Sequence, residues 1–389
     1  MAPARTIVRT MLHVRNQEAP PSAARGTAAD PPPAVTDGSA QLTPKPRDPF
    51  FDNAKYLAIV LVALGHAWSP MRGDSQTAAA LYLFVYAFHM PAFILIAGYF
   101  SRGFTGRPDQ LRRLITGIGA PYLVFEVLYV LFKRWGDADP DYPLSVLDPF
   151  YVTWFLVALF VWRLTAPVWR IVRRPLPVAL GIAAVGSVSP HIGSDLNLQR
   201  ILQLLPYFVL GLQLRREHFE LVRRPGARVA AAVLLPVALG LAYWAAPHVD
   251  AGWFYRTSSA QEMGAEPWAG VLLSLALFGC GLLLTACFLA LVPGRRMWFT
   301  ALGAGTIYGY LLHGFFIQGS RWWGWYEAPG ADSPGGRVVI TLIAAVLMTA
   351  LCTGPVRRVF HYLVEPRMDW AFTHEATRVG QPAGQGRAG

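Results

Sequence analysis

Long apolar runs separated by short charged loops constrain the fold of this chain more than any other feature. A membrane-spanning helix needs about 20 mostly apolar residues, and about ten runs approach that length. The runs cover residues 52–70, 78–100, 113–133, 149–168, 176–190, 199–214, 228–246, 268–292, 299–319 and 337–363. Because lipid cannot satisfy backbone N–H and C=O groups, and no strand-like segment is evident, the runs predict an all-α, polytopic membrane helix bundle.

The charged loops between the runs predict the orientation of the bundle. Alternate loops are basic, and these contain Arg102/Arg107/Arg112/Arg113, Arg163/Arg170/Arg173/Arg174, Arg215/Arg216/Arg223/Arg224/Arg228 and Arg295/Arg296. The intervening loops are acidic or mixed. Since basic loops face the cytoplasm, we predict cytoplasmic N- and C-termini and a multi-pass protein of the inner (plasma) membrane. The same loops account for the net charge of +11, so we expect the lipid bilayer, and no nucleic acid, as a partner.

Two polar tails flank the predicted membrane domain. Residues 1–46 are rich in Pro and Ala and lack both apolar periodicity and the apolar core of a cleaved signal peptide, which predicts a disordered cytoplasmic tail. The transmembrane domain is expected over 47–370, and a second disordered tail over 371–389. The three cysteines lie in apolar runs without CxxC or Cys/His spacing, so neither a disulfide framework nor a metal site is expected.

Two ionisable side chains share one face of the first run. Lys55 and His66 are eleven residues apart, and eleven helical steps of about 100° return to within about 20° of the same face. His66 then lies about 16 Å further along the axis. Asp52, one turn before Lys55, is positioned to pair with it.

Ionisable groups are costly inside a membrane, so they usually face a cavity, pair with a partner or carry out chemistry. A cation at the cytoplasmic mouth with a histidine deeper in the membrane suits an extended, anionic cytoplasmic donor. Lys55 would meet its phosphates, and His66 would act as a general base. The structural alternative is that His66 hydrogen-bonds a neighbouring helix while Lys55 extends to the interface.

Further polar and aromatic side chains lie inside other runs. Pro91 predicts a kink in the second run, where His89 orients His66, binds the acceptor or satisfies the kink. His313 lies in a glycine-rich run and has either a packing role or a site role. Glu126 is either the partner of an intramembrane His or Arg or a protonated core carboxyl. For Trp154 we favour an interfacial aromatic belt over a sugar-stacking platform.

The sequence resembles the integral membrane acyltransferase family 3, and within it the bacterial fucose 4-O-acetylase-like proteins. The resemblance rests on Asp52-x-x-Lys55, the ten residues from there to His66, Tyr86-Ala-Phe-His89-Met-Pro91 and Ala97-Gly-Tyr-Phe-Ser101. Thr153-Trp154-Phe155-Leu156 and Tyr310-Leu-Leu-His313-Gly are similar to later family blocks. The resemblance extends over about residues 48–365, with the first block the most specific.

The resemblance implies transfer of an acetyl or other acyl group from cytoplasmic acyl-CoA to the hydroxyl of a carbohydrate, glycolipid or small molecule. It implies His66 as the base and Lys55 as the basic residue of the family signature, which often has Arg there. Arg112 and Arg113 are further candidates for donor binding, although they lack the spacing of the family's second signature, two arginines three apart. His89 is the second catalytic candidate, which would orient His66 or the acceptor. The substrate-binding candidates are Asp52, Trp154, Tyr310 and His313.

A function of a different class stays open from the residues alone. A transporter or flippase for a glycolipid or small solute would use the intramembrane histidines as a proton relay. No GxSxG, Walker-type loop or GxGxxG after a strand is present, which argues against serine hydrolases, nucleotidases and Rossmann enzymes.

Overall fold

The computed structural model describes residues 47–192 and 195–373. Throughout these residues the regular secondary structure is helical with no strand, which confirms the predicted all-α class. The predicted tails 1–46 and 371–389 lie outside the described residues, except for residues 371–373.

Sixteen α-helices make up the described part of the chain. The first eight are α1 (Pro49–Trp68), α2 (Gln76–Tyr86), α3 (His89–Ser101), α4 (Pro108–Leu114), α5 (Ala120–Gly136), α6 (Trp154–Thr165), α7 (Val168–Ile171) and α8 (Pro175–Ser187). The second eight are α9 (Leu198–Gln213), α10 (Arg216–Val222), α11 (Pro225–Ala245), α12 (Gly252–Tyr255), α13 (Pro267–Leu291), α14 (Thr306–Trp322), α15 (Pro334–Leu351) and α16 (Gly354–Val364).

Five helical stretches are long and apolar enough to cross a membrane, and two of them join consecutive helices, α2 with α3 and α4 with α5. They are Gln76–Ser101, Pro108–Gly136, Pro225–Ala245, Pro267–Leu291 and Pro334–Leu351. Helices α6 and α8 are apolar but only 12 and 13 residues long. The tenth predicted run is divided between α15 and α16. The count of ten spans and the cytoplasmic termini therefore remain predictions.

Helix α11 presents an apolar stripe to its surroundings. Val229, Val233, Val237 and Leu241 follow one another at four-residue spacing, and each side chain is at least 51% exposed. Helices α2 and α13 pack against α11. A continuous exposed apolar stripe of this kind is the surface that a helix offers to lipid.

Helix α1 is the element around which α2, α3, α14 and α15 pack. Its N-terminus is capped by Asp48, which accepts a hydrogen bond from a backbone amide of the first turn at 3.0 Å. The fully buried Asn53 donates to the carbonyls of Pro293 and Arg295 at 2.8 and 2.9 Å and accepts from the Thr300 hydroxyl at 2.7 Å. These bonds fix the start of α1 against the loop between α13 and α14.

The second predicted run is broken, as the kink at Pro91 predicted. Helix α2 ends at Tyr86 and α3 begins at His89. Pro91 has no N–H to donate to the carbonyl of Ala87, four residues earlier. The break leaves Ala87 and His89 on the wall of an internal cavity.

Helices α3 and α9 cross at glycines. A Cβ added to Gly98 would lie 3.0 Å from the Cα of Gly211 and would collide with the carbonyl oxygen of Phe208. Small residues at such a crossing allow two backbones to approach closely, which is how helices pack in a membrane. The crossing brings the first turns of α3 and α9 to the same cavity.

Candidate active site

A cavity of about 190 Å³ lies beside the C-terminal end of α1. His66 and Ser69 reach it from this end of the helix, which we call the His66 end. The opposite end of α1 is the Lys55 end. Polar and aromatic side chains from other elements complete the cavity wall, among them Tyr86, His89, Tyr151, Trp154, Arg200 and Tyr310.

The His66 imidazole contacts two phenols through the same nitrogen. The Tyr151 hydroxyl lies 2.8 Å from Nδ1, and the Tyr86 hydroxyl lies 3.5 Å from it. Within the described residues Nε2 has no hydrogen-bond partner, while the side chain lines the cavity. His66 is therefore held at one nitrogen and open at the other.

A buried carboxyl group holds the turn that presents Tyr151. Glu126 is fully buried in α5 and accepts from the Phe150 amide at 2.9 Å and from the Thr153 hydroxyl at 2.6 Å. Tyr151, between these two residues, adopts a left-handed backbone conformation with φ 53°. Such backbone is costly for a residue with a side chain and persists where its surroundings enforce it. Neither of the two roles considered for Glu126 from the sequence included the anchoring of a turn.

His89 lies on the cavity wall at the break between α2 and α3. Its Nδ1 lies 2.8 Å from the carbonyl oxygen of Val85, and a carbonyl can only accept, so Nδ1 carries the proton. Tyr86 stands between the two cavity histidines, since its ring is 4.7 Å from that of His89 and its hydroxyl also contacts His66. His89 therefore donates a hydrogen bond to the last turn of α2 and faces the cavity at the same time.

His313 lies directly behind His66. The two ring centroids are 5.4 Å apart, and His313 is only 1% exposed. Its Nδ1 contacts the carbonyls of Gly309 and Tyr310 at 3.0 and 2.7 Å, so this nitrogen carries the proton. Its Nε2 is buried without a hydrogen-bond partner in the described chain. The site role of His313 therefore stays a prediction.

Trp154 and Tyr310 also line the cavity. Trp154 is only 9% exposed, and the Arg200 guanidinium lies 4.7 Å from its ring centroid, so the favoured interpretation as a membrane-belt residue is wrong. The sequence signal misled because a Trp at the start of an apolar helix is typical of an interface. Tyr310 donates its hydroxyl hydrogen bond to the carbonyl of Val152. That contact ties α14 to the turn that carries Tyr151.

Three arginines line the cavity, whereas no Asp or Glu does. Arg256 is 6% exposed, and its φ of 58° is left-handed. Burial lowers the pKa of this guanidinium. Arg200 donates to the carbonyl of Tyr255 at 2.9 Å, and Arg321 contacts the amide oxygen of Gln318 at 3.3 Å. In the described chain no carboxylate lies within ion-pair distance of any of the three.

At the other end of α1, the Lys55 ammonium lies 2.7 Å from the Asp52 carboxylate, which confirms the predicted pairing. Ile59 and Val62 occupy the same helix face between Lys55 and His66, and they are 1% and 2% exposed. The structure therefore brings His66, His89, His313, Trp154 and Tyr310 together. It leaves Lys55 and Asp52 at the opposite end, with packed apolar side chains between the two groups.

Arg112 and Arg113 are each paired with a carboxylate. Arg112 contacts Asp369, and Arg113 contacts Asp109 one turn earlier in α4. A separate cationic pocket lies at the Lys55 end, where Asn53 bonds the loop after α13. Its basic lining residues are Arg223, Arg228 and Arg295, and the buried Nε of Arg223 has no hydrogen-bond partner.

The comparison with known protein families matches an acyltransferase domain to residues 48–356, well over half of the chain. This chain belongs to acyltransferase family 3. No curated protein and no solved structure matches it. Its family domain and its apolar helices together identify it as a membrane acyltransferase. The closer likeness to fucose 4-O-acetylase-like proteins remains a prediction.

The site of this acyltransferase contains residues that the sequence did not single out for it. Tyr151, Arg256 and Arg321 lie outside the quoted motifs or beside them. Tyr151 and Arg256 have a weak signal because they lie in loops, which have no periodicity, whereas Arg321 lies in the last turn of α14. Arg200 had a visible signal, an arginine at the start of an apolar run. Across residues 47–192 and 195–373, no group of three His, Cys, Asp or Glu side chains is arranged to hold a metal ion.

Proposed function

We propose that this acyltransferase is an acyl-CoA-dependent O-acyltransferase, with acetyl-CoA as the simplest donor, in which His66 deprotonates the acceptor hydroxyl. The observation that carries the proposal is the 2.8 Å contact between the Tyr151 hydroxyl and Nδ1 of His66. A base must be oriented through one ring nitrogen so that the other can take a proton. The contact at Nδ1 would supply this orientation, and the His66 side chain lines the cavity.

The proposed reaction needs no covalent acyl-enzyme. His66 donates its Nδ1 proton to the Tyr151 oxygen as a hydrogen bond, so Nε2 carries a lone pair. Nε2 accepts the proton of the acceptor hydroxyl as its oxygen attacks the thioester carbonyl carbon. The carbon–sulfur bond then breaks, and the departing thiolate takes the proton from Nε2. The products are an ester and free CoA, and His66 returns to its starting state.

Donor binding is proposed at the Lys55 end. Acyl-CoA carries several phosphate charges, and clustered cations are the recognition chemistry for phosphate. Lys55 supplies one cation, and the pocket of Arg223, Arg228 and Arg295 supplies three more beside the start of α1. Arg112 and Arg113 remain proposed donor contacts, although each would have to exchange its present carboxylate partner.

The pantetheine arm has to pass between these two ends. The distance from Lys55 to His66 along the helix is about 16 Å. Ile59 and Val62 fill the intervening face of α1, and Val62 also borders the cavity. We therefore propose that donor binding separates α1 from its neighbours along this face, so that the thioester reaches His66.

The acceptor is proposed to bind in the cavity at the His66 end. Aromatic rings with a few polar groups line it, including Tyr86, Trp154, Tyr255 and Tyr310. Flat rings combined with hydrogen-bonding groups suit a hydroxyl-bearing, carbohydrate-type ligand. With the basic loops in the cytoplasm of a bacterial inner membrane, the cavity would face the outer side, opposite the donor.

The test is acetyl-CoA turnover by purified protein in nanodiscs. Release of CoA is followed with a thiol reagent while carbohydrate and lipid acceptors are supplied, and acetylated product is identified by mass spectrometry. His66→Ala should abolish acceptor-stimulated release. The matched control is His248→Ala, which removes an exposed histidine of the segment after α11 and should leave the rate unchanged.

Two results would overturn the proposal. Equal CoA release by wild type and His66→Ala would remove His66 as the base. Absence of acyl-CoA binding in correctly folded protein would remove the donor. Proton-coupled movement of a solute that His66→Ala stops, without any acylated product, would support the transporter alternative instead.

A further inference from the structure

The cavity at the His66 end is a cationic chamber without an internal counter-charge. Arg200, Arg256 and Arg321 reach it, and its lining contains no carboxylate. Two partly buried lysines, Lys55 and Lys133, are each paired with a carboxylate, that of Asp52 and that of Asp137. The three cavity arginines have no such partner in the described chain.

Arg256 is the most deeply buried of the three. Its Nη1 contacts only neutral oxygens, at 3.5 Å from the Gln203 amide and 3.4 Å from the Ser274 hydroxyl. Both distances are long for hydrogen bonds to a charged donor, which are usually near 2.8 Å. A guanidinium remains charged in proteins and offers five N–H donors in a planar fork. Arg256 therefore has capacity for an oxyanion that the described chain does not fill.

Arg200 is held in a way that leaves its charge unneutralised. Its Nε donates to the Tyr255 carbonyl at 2.9 Å, and its Cζ lies 4.7 Å from the Trp154 ring centroid. These contacts orient the guanidinium but supply no negative charge. Tyr255, the last residue of α12, directly precedes Arg256, so this part of the chain holds one cavity arginine and contributes the other. Arg321 adds a third, more exposed cation from the end of α14.

The chain keeps this arrangement despite its backbone cost. Arg256 has a left-handed φ of 58°, which disfavours any residue with a Cβ. The conformation turns the chain immediately after α12 and directs Arg256 toward the buried Gln203 and Ser274. Arginine is mostly exposed in proteins, whereas Arg256 is only 6% exposed.

The location separates this cluster from the donor phosphates. The arginines share the cavity with His66, whereas the proposed donor site lies at the Lys55 end, about 16 Å away along α1. An anion bound in the cavity thus lies beside the base, where the acceptor is expected.

We propose that the acceptor of this acyltransferase carries an oxyanion, either phosphate or carboxylate, near the hydroxyl that is acylated, and that Arg200, Arg256 and Arg321 bind it. The proposal rests on the function proposed above and names the chemical class of its acceptor. The oxyanion has two sources, the headgroup of an anionic lipid or a soluble anionic sugar. Either source is recognised by the same guanidinium chemistry.

A binding experiment tests the proposal separately from catalysis. Purified protein in phosphatidylcholine nanodiscs is titrated with glucose 1-phosphate, glucuronate or methyl glucoside at constant ionic strength. The rise of the melting temperature with ligand concentration gives the Kd. The two anions should bind at least tenfold more tightly than the neutral sugar. If the sugars instead bind only when the nanodisc contains phosphatidylglycerol, the oxyanion comes from a lipid headgroup. This result also supports the proposal. Equal affinities for all three sugars with no effect of phosphatidylglycerol would overturn it.

Variants assign the binding to the arginines. Arg256→Gln should weaken anion binding at least tenfold, Arg256→Lys should restore part of it, and Arg321→Gln provides a second test at an exposed position that tolerates change. The control is the exposed Arg173→Gln, for which no change is expected. Unchanged anion affinity in both Arg256→Gln and Arg321→Gln would overturn the proposal.

The two proposals can fail independently. His66→Ala should keep anion binding and lose acyl transfer. Anion binding with His66-independent CoA release would overturn the proposed base while leaving the anion site in place. Conversely, a rise in the KM for acetyl-CoA in Arg256→Gln, with an unchanged acceptor KM, would assign the anion to the donor and overturn the inference.

Discussion

The hydroxyl of Tyr151 lies 2.8 Å from Nδ1 of His66, although 85 positions separate the two residues in the chain. Tyr151 is held there by its left-handed backbone and by the contacts of its neighbours with Glu126. The relationship resembles the role of the carboxylate in a catalytic triad, which fixes the tautomer and orientation of the histidine. In the proposed reaction a neutral phenol would orient His66 without adding a charge to the bundle.

Tyr151→Phe should lower kcat while leaving the KM for acetyl-CoA unchanged. Loss of the hydroxyl removes the partner that orients His66. Since a positioned acid–base group contributes about 10²–10⁴-fold, we expect partial loss of its orientation to cost about 10- to 100-fold in kcat. The measurement is acceptor-stimulated CoA release. Tyr243→Phe, at an exposed tyrosine of α11, is the control. An undiminished kcat in Tyr151→Phe would show that Tyr86 alone orients the ring.

Glu126→Leu should lower both stability and turnover, because it removes the acceptor for two buried donors. Each buried donor left unsatisfied costs about 1–3 kcal/mol of unfolding free energy. Glu126→Gln retains one oxygen and should have a smaller effect. Melting temperature and kcat are measured for both variants, with the exposed Glu217→Leu of α10 as the control. A stable but inactive Glu126→Leu would mean that Glu126 positions the turn without supporting the fold.

The sequence was informative where the geometry of a single helix determines a contact or a break. The Lys55–Asp52 pair and the break at Pro91 follow from local helix geometry, and both predictions are confirmed. The shared face of Lys55 and His66 indicated two linked sites. It could not reveal that the buried Ile59 and Val62 fill the space between them, because packing against other helices is not encoded in the spacing of one helix.

Two of the residues that complete the site come from irregular segments. Tyr151 and Arg256 both lie in loops between helices, and both have left-handed backbone that no hydrophobic period can signal. Trp154 misled for a related reason, since its position in an apolar run is the same for a membrane belt and for a buried cavity wall. Only the fold of the intervening loops distinguishes these cases.

Arg223→Gln should raise the KM for acetyl-CoA about tenfold, which corresponds to about 1.4 kcal/mol of binding free energy. Its Nε is buried without a partner in a pocket at the Lys55 end, so a phosphate would supply the missing acceptor. Arg216→Gln, an exposed arginine paired with Glu220, is the control. If Arg112→Gln raises the KM and Arg223→Gln does not, the donor phosphates bind at the α4 loop instead.

Gly98→Ala should destabilise the whole bundle, because the crossing of α3 and α9 has no room for a methyl group. The new Cβ would lie 3.0 Å from the Cα of Gly211 and would collide with the Phe208 carbonyl, both of them backbone groups that cannot rotate away. Overpacking of this kind costs about 1–3 kcal/mol. Because the crossing positions the cavity wall, the melting temperature and kcat should fall together.

The matched control for this prediction is Gly181→Ala in α8. A Cβ there would meet nothing within 4 Å, and the glycine is exposed in the interior of a helix. Replacing such a glycine with alanine favours the helical state by about 0.5–1 kcal/mol, so this variant should melt at the same or a higher temperature. If Gly98→Ala melts like Gly181→Ala, the two helices do not meet at this crossing, and the shared placement of His89 and Arg200 on the cavity wall loses its physical basis.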